Sequence, residues 1–305
     1  MKMTDQSFYS LNQYLKERFH EKVYKLALHG GETCPNRDGL TGHGGCIFCG
    51  EGSGSFASET IDEAIGRLSQ KQIGSRYIAY FQSYTATYRM TKQLVSRMLE
   101  AAEDERIAAV SIGTRPDCLE ADVMELLAEL VQKKPLWVEL GLQTIHPATA
   151  ALIRRGYDLP AFETAVKKLR TAGIDVIVHL ILGLPGETKE QMLESVKYLN
   201  RWDIQGVELQ LLHVLRGTDL GRMFEDGEIT GNPEEYPFSL EEYAQLIGAC
   251  IKNLRSDIVV HRITGDAPKK DLLAPLWSAD KKKVLNTIHQ YLKQQKIRQG
   301  EEWQK

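Results

Sequence analysis

No apolar run in the 305-residue chain approaches the roughly 20 residues that a membrane-spanning helix needs. The opening "MKMTDQSFYSLNQYLKERFH" is mixed and charged, unlike a secretory leader, so a cytoplasmic protein with no membrane partner is expected. Internal repeats, low-complexity stretches and long linkers are also lacking, which argues against solenoid and disordered classes. Charge of one sign is scarce, since 38 Lys and Arg face 41 Asp and Glu for a formal net charge of −3. That balance does not advertise a nucleic-acid partner. Cysteines number five, an odd count, and three of them fall between positions 34 and 49. In a reducing compartment such a cluster points to metal binding or catalysis rather than to disulfides.

With 42% apolar residues the chain can bury a sizeable core. The pattern alternates short apolar runs with amphipathic ones. Strands are predicted at 23–29, 76–83, 107–114, 136–144, in the stretch 175–188, and at 206–215 and 257–265. Helices are predicted at 58–72, 91–103, 120–133, 160–172, 189–201 and 239–254. Near-continuous apolar strands separated by helices predict a parallel sheet covered by helices. About seven strands suit an α/β fold of the partial (β/α)6 TIM-like barrel type better than one doubly wound sheet. Residues 1–20 and 267–305 are expected as helical extensions flanking a barrel over 21–266. From Lys269 to Lys305 nine Lys and Arg outnumber four Asp and Glu. That basic tail reads either as a solvated helix or as a phosphate-binding edge. The segment "GRMFEDGEITGNPEEYPF" (221–238) reads as an irregular insertion suited to a lid or substrate loop.

In a parallel barrel, chemistry gathers at the C-terminal strand ends. Cys34, Cys46 and Cys49 follow the first strand, and Gln82 and Ser83 end the second. Thr114 and Arg115, then Gln143 and Thr144, end the next two. "GLPGET", His213 with "RGT", and "RITGD" end the remaining three. Soft thiolates select iron-sulfur clusters, zinc or copper(I). Three cysteines leave one iron of a 4Fe-4S cluster open, whereas a closed zinc site needs a fourth ligand, for which His43 is the candidate. The spacing C-x11-C-x2-C leaves both readings open, and with the second a noncatalytic zinc-stabilised binding protein. Cys118 and Cys250 read as buried small hydrophobes.

The three cysteines with Phe48 inside the last pair, "ELGLQT", "RRG" and "GLPGET" together resemble the radical S-adenosylmethionine (SAM) enzymes. The common motif there is C-x3-C-x2-C, and the longer first gap resembles the branch that holds the Elp3-type transfer-RNA enzymes. "CPNRDG", "GGCIFC", "GTRPDCL" and "RITGD" resemble the MnmL-type (YhcC-like) wobble-uridine enzymes. The resemblance covers roughly residues 20–270. It implies a 4Fe-4S cluster on Cys34, Cys46 and Cys49, with S-adenosylmethionine chelated at the open iron and cleaved to a 5'-deoxyadenosyl radical. It implies Phe48 near the adenine, Gln82 and Ser83 near the methionine amino group, Gln143 and His179 near the ribose, and Arg155 beside the methionine carboxylate. The glycines that relatives carry at the Gln82 strand end are missing. Each residue also has a structural reading: Ser83 and Gln143 satisfying strand-end backbone, Arg155 as an exposed helix-end cation, and His179 as a paired core histidine.

The resemblance further implies a transfer-RNA substrate. The expected reaction converts 5-carboxymethylaminomethyl-(2-thio)uridine at the wobble position to 5-aminomethyl-(2-thio)uridine. A reductase such as flavodoxin or ferredoxin is implied as electron donor. A radical enzyme acting on a small molecule or protein is the alternative. No acetyltransferase segment like that of Elp3-type proteins is recognised, so acetyl transfer is not carried over.

Overall fold

A computed structural model describes residues 7–50, 57–68 and 74–304. Seven strands form one parallel sheet in sequence order: β1 (Val23–Leu28), β2 (Arg76–Phe81), β3 (Ile107–Thr114), β4 (Leu136–Gln143), β5 (Asp175–Leu182), β6 (Gly206–Leu211) and β8 (Val259–Arg262). Lys25 on β1 lies 3.6 Å from Glu208 on β6. On a flat sheet those strands would stand about 24 Å apart at roughly 4.8 Å per step. The sheet therefore curls into a half-barrel, with β1 and β8 as its end strands.

Alternation along each strand sorts the side chains. Leu26, Val110, Leu140, Val178 and Leu209 face outward into the main core. There they meet α3 (Lys92–Glu103), α4 (Ala121–Lys133), α6 (Leu159–Thr171), α7 (Lys189–Leu199) and α9 (Leu240–Asn253). Val23, Ile78, Ala109, Trp137 and Ile177, near the strands' N-terminal ends, face inward. Leu15 of α1 (Leu11–Phe19) packs on them and closes that end of the barrel. The preceding residues extend the sheet edge, with Val260 N donating to Tyr9 O at 2.8 Å.

Shorter elements complete the chain. Of the helix predicted at 58–72, α2 (Ile61–Gly66) is present, and residues 69–72 lie outside the described residues. The helices α5 (Pro147–Leu152) and α8 (Asp219–Glu225) were not predicted. The second corrects the insertion at 221–238, which opens on a helix because Thr218 caps Gly221 N and Leu220 is buried. The strand predicted over 206–215 divides into β6 and β7 (Val214–Leu215). β7 pairs antiparallel with β9 (Leu272–Ala274), and α10 (Lys281–Gln294) follows.

Candidate cofactor site and charged barrel floor

The cysteine loop leaves β1 beside the end of β2. A Cβ on Gly30 would meet Gln82 N and the Phe81 carbonyl carbon at 2.9 Å, so only glycine permits this approach. The loop then folds on itself. Cys34 O accepts from Arg37 N at 2.8 Å, and Asn36 O accepts from Gly45 N at 2.8 Å, which brings Cys46 back toward Cys34. Asn36 is buried; its amide donates to Arg154 O and lies 3.5 Å from Cys46 Sγ. Ile47 anchors the second half, donating to Ile153 O and accepting from Leu220 N.

The thiols lie in a cationic surround. Arg115, itself buried, places Nη1 3.7 Å from Cys34 Sγ and is held by Asp117 through bonds of 2.6 and 2.8 Å. A hydrogen bond from the Cys49 thiol, reinforced by Asn36 and by the charges of Arg115 and Arg154, outweighs burial and lowers Cys46 to about 7. As donor of that bond Cys49 is correspondingly raised. A depressed thiol in a cationic niche is the chemistry a soft-metal ligand needs. Among the described residues, no trio from Cys34, Cys46, Cys49 and His43 has all its ligand atoms within 4.8 Å. A single tetrahedral zinc would hold sulfurs about 3.8 Å apart. Three soft thiols with no fourth ligand gathered beside them among the described residues suit a 4Fe-4S cluster that leaves one iron open. Cys118 and Cys250 are buried apart, and burial pushes each up to about 12.

The other predicted residues sit as follows. Phe48 packs on the apolar cluster of Ile153, Ile181, Leu184 and Leu212. Gln82 N donates to Leu28 O at 3.2 Å, and Ser83 Oγ is buried with no partner. Gln143 adopts a left-handed backbone, φ 66°, at a register shift of β4, and its Oε1 is also buried without a partner. A strained backbone and two orphaned polar atoms thus coincide at the C-terminal ends of β2 and β4. Arg155 is buried rather than an exposed helix-end cation. It donates to Leu142 O at 2.9 Å, to Thr144 O at 2.6 Å and to Tyr157 O at 2.9 Å, with its guanidinium 4.6 Å above the Tyr157 ring. His213, pushed down to about 4 by burial, packs against Gly265.

His179 belongs to a different layer. Inside the barrel, between α1 and the cysteine loop, its Nε2 lies 2.9 Å from Glu139 Oε2 and 3.7 Å from Glu208 Oε2. Lys25 Nζ lies 2.7 Å from Glu139 Oε1 and stacks 4.4 Å above the Tyr80 ring. Ser111 Oγ donates to Glu139 Oε1 at 2.5 Å, and Gln210 donates to Glu208 Oε2 at 2.9 Å. Arg262 Nε stands 3.5 Å from Glu208 Oε2. Burial alone would raise Glu139, but Lys25 and His179 hold its carboxyl well below the usual range. Sequence reasoning passed over Lys25, Glu139 and Glu208. Their signal was a charge inside an apolar strand, in "VYKLAL", "LWVELGL" and "GVELQL".

A parallel half-barrel with a thiol-bearing loop over its C-terminal mouth and a polar interior defines an enzyme built around a metal cluster. Family comparison agrees. Residues 16–199 match the radical SAM superfamily and residues 204–294 its C-terminal domain. The chain belongs to the radical SAM superfamily. Its cofactors are accordingly a 4Fe-4S cluster and S-adenosylmethionine. It is 40% identical to the uncharacterized protein YtqA of Bacillus subtilis, over 99% of this chain and 94% of that one. It is 35% identical to protein YhcC of Escherichia coli, over 91% and 90%. A more distant relative is a transfer-RNA uridine(34) acetyltransferase of Methanocaldococcus jannaschii, 25% identical over 71% of this chain and 47% of that one. Among solved structures, Methanocaldococcus infernus Elp3 superposes with TM-score 0.62 at 21% identity, covering 78% of this chain and 58% of that one. That similarity is one of fold. No helix among the described residues is long and apolar enough to cross a membrane.

Proposed function

We propose that this radical SAM enzyme acts on the wobble uridine of transfer RNA in the cytoplasm, converting a 5-carboxymethylaminomethyl group to 5-aminomethyl. The observation that carries the reading is the three-thiol loop together with the charged side chains inside the barrel, in a chain whose distant relatives include a transfer-RNA uridine(34) enzyme. Cys34, Cys46 and Cys49 would hold the cluster. When bound, cluster and S-adenosylmethionine would supply a radical that takes a hydrogen atom from the carbon between nitrogen and carboxylate. The second electron would pass to the cluster, and water would release the two-carbon unit as glyoxylate and leave the amine. The protein's part is to bind, orient and exclude water. Phe48 would offer an apolar face to the adenine. Ser83 and Gln143 would spend their unpartnered oxygens on S-adenosylmethionine, and Gln82 lies beside them. Arg155 would stiffen the strand ends through its carbonyl bonds while standing near the methionine carboxylate, with His179 below the ribose. A flavodoxin or ferredoxin would donate the electron.

Anaerobic reconstitution with iron and sulfide tests this. About four irons per chain are expected, because three thiolates predict one cluster. 5'-Deoxyadenosine should form with a reductant, and mass spectrometry should show 5-aminomethyluridine appearing in transfer RNA that carries the carboxymethylaminomethyl group. Cys46→Ala should lose iron and cleavage together; cleavage at the wild-type rate in that variant would refute the ligand assignment. Cleavage by the native enzyme with an unaltered wobble nucleoside would refute the substrate and leave the class standing.

A further inference from the structure

The charged layer inside the barrel is saturated at one end and open at the other. At the saturated end, Glu139 accepts from Lys25, Ser111 and His179 at 2.5 to 2.9 Å. A metal ion is a poor occupant there, because the Lys25 ammonium already fills the cation's place. At the other end Glu208 is buried, yet its Oε1 has Lys25 no nearer than 3.6 Å. Beside it, Arg262 makes long ion pairs, 3.5 Å to Glu208 and 3.7 Å to Asp266. Glu208 spends one oxygen on Gln210, and Arg262 is about a third exposed, so a buried acid and a solvent-reachable base stand side by side with capacity left for an entering ligand.

The space above them is suited to a ligand. The next inward positions toward the cysteine loop carry Ala27, Gly113 and Gly141. Ala27 and Gly141 are partly exposed although they lie within strands whose outward neighbours Leu28 and Leu142 are buried. Solvent thus reaches the inward face at Ala27 and Gly141, while the position above Glu208 on β6 carries the half-buried Gln210. The orphaned Gln143 Oε1 lies at the strand end above Gly141, with Gln143 Nε2 lying where a Gly141 side chain would start.

We propose that Glu208 and Arg262 form a receptor for an N-alkylglycine tail, Glu208 taking the secondary ammonium and Arg262 the carboxylate. A zwitterion is the ligand class that matches an adjacent acid and base of opposite charge, and its two charges are separated by one carbon. His179 and Gln210 act as positioning residues, fixing Glu208 from the β5 and β6 sides. This inference rests on the proposed reaction, since the carboxymethylaminomethyl group is such a tail.

The test compares transfer RNA bearing the 5-carboxymethylaminomethyl group with the same RNA whose tail ends in a carboxamide. Rates of tail loss are normalised to each variant's 5'-deoxyadenosine formation. The wild-type enzyme should favour the acid by at least about tenfold, the scale of one charge-assisted bond. Arg262→Gln should lose on the order of tenfold to a hundredfold on the acid and bring the ratio near one. Arg262→Lys, which keeps the charge, should retain a preference; if the Gln variant is inert on both RNAs, the Lys variant's ratio decides. A wild-type preference kept by Arg262→Gln, or no preference in the wild type, overturns the receptor and leaves the reaction intact. S-adenosylmethionine cleavage with no loss of the acid tail overturns the reaction first and the receptor with it.

Discussion

Glu208 is pulled in opposite directions by its surroundings. Burial raises its carboxyl, but His179, Lys25 and Arg262 together outweigh that and bring it down to about 2. An ordinary glutamate titrates near 4.3. Because the folded value is the lower one, the stabilisation is complete above about pH 4.3 and is lost as the pH falls toward 2. Urea midpoints followed by tryptophan fluorescence should therefore fall steeply between about pH 4.5 and 2 in the native protein. Glu208→Gln should start lower at neutral pH, because Lys25 and Arg262 lose a counter-charge, and should fall less steeply. Parallel profiles would refute the coupling. At this scale the sequence disclosed residues whose chemistry lies in their type. Three thiols in sixteen positions read as a metal site without any fold. Glu208 was harder to read, since a carboxylate in an apolar strand has meaning only once Lys25, five strands away, is known to reach it.

Among the elements, the turn after β5 shows how local signals and tertiary contacts combine. "GLPGET" foretells a strand-to-helix turn, and Thr188 with Gln191 forms the reciprocal cap of α7. What the stretch does not disclose is why Gly183 must be glycine. Its φ is 95°, and an added Cβ would lie 2.4 Å from Pro237 Cγ and 3.1 Å from Phe238. The end of the insertion thus presses on the strand-end turn at the barrel mouth. Gly183→Ala combines left-handed strain with that clash and should cost about 2 kcal/mol or more. The expected reading is a melting temperature lower by several degrees, with faster protease cleavage within 226–238. An unchanged melt and cleavage pattern would show that the segment yields freely. The long helices and strands were legible because periodicity accumulates over 8–14 residues. α5, α8 and β9 were not, since six, seven and three residues carry little period and owe their form to neighbours such as Ile47 and β7.

For the whole molecule, the strand order and the partial-barrel class could be anticipated, while the partners across the barrel could not, because alternation records which face is inward and is silent on what that face meets on the far side. The same limit applies to charge. A net charge of −3 conceals a basic terminal stretch, and the structure shows how α10 carries it. Val284, Ile288 and Leu292 bury one stripe of the helix in the main core, and Lys281, Lys282 and Lys283 stand exposed in its first turn. Lys281 pairs with Asp266 at 2.5 Å. Cations at a helix N-terminus oppose its dipole, at about 0.3–1 kcal/mol each. Lys282→Ala with Lys283→Ala should therefore leave stability level or slightly raised. If this edge meets transfer RNA, the same pair of changes should weaken binding at low salt. It should also make the slope of log affinity against log salt shallower by about 1.5, since each phosphate contact on single or double strands contributes roughly 0.7–0.9. A slope that does not change, measured alongside an unchanged melt, would assign the lysines to a solvated face and direct the search for the RNA contact to the rim of the barrel mouth, where Arg37, Arg89 and Arg154 flank the cysteine loop.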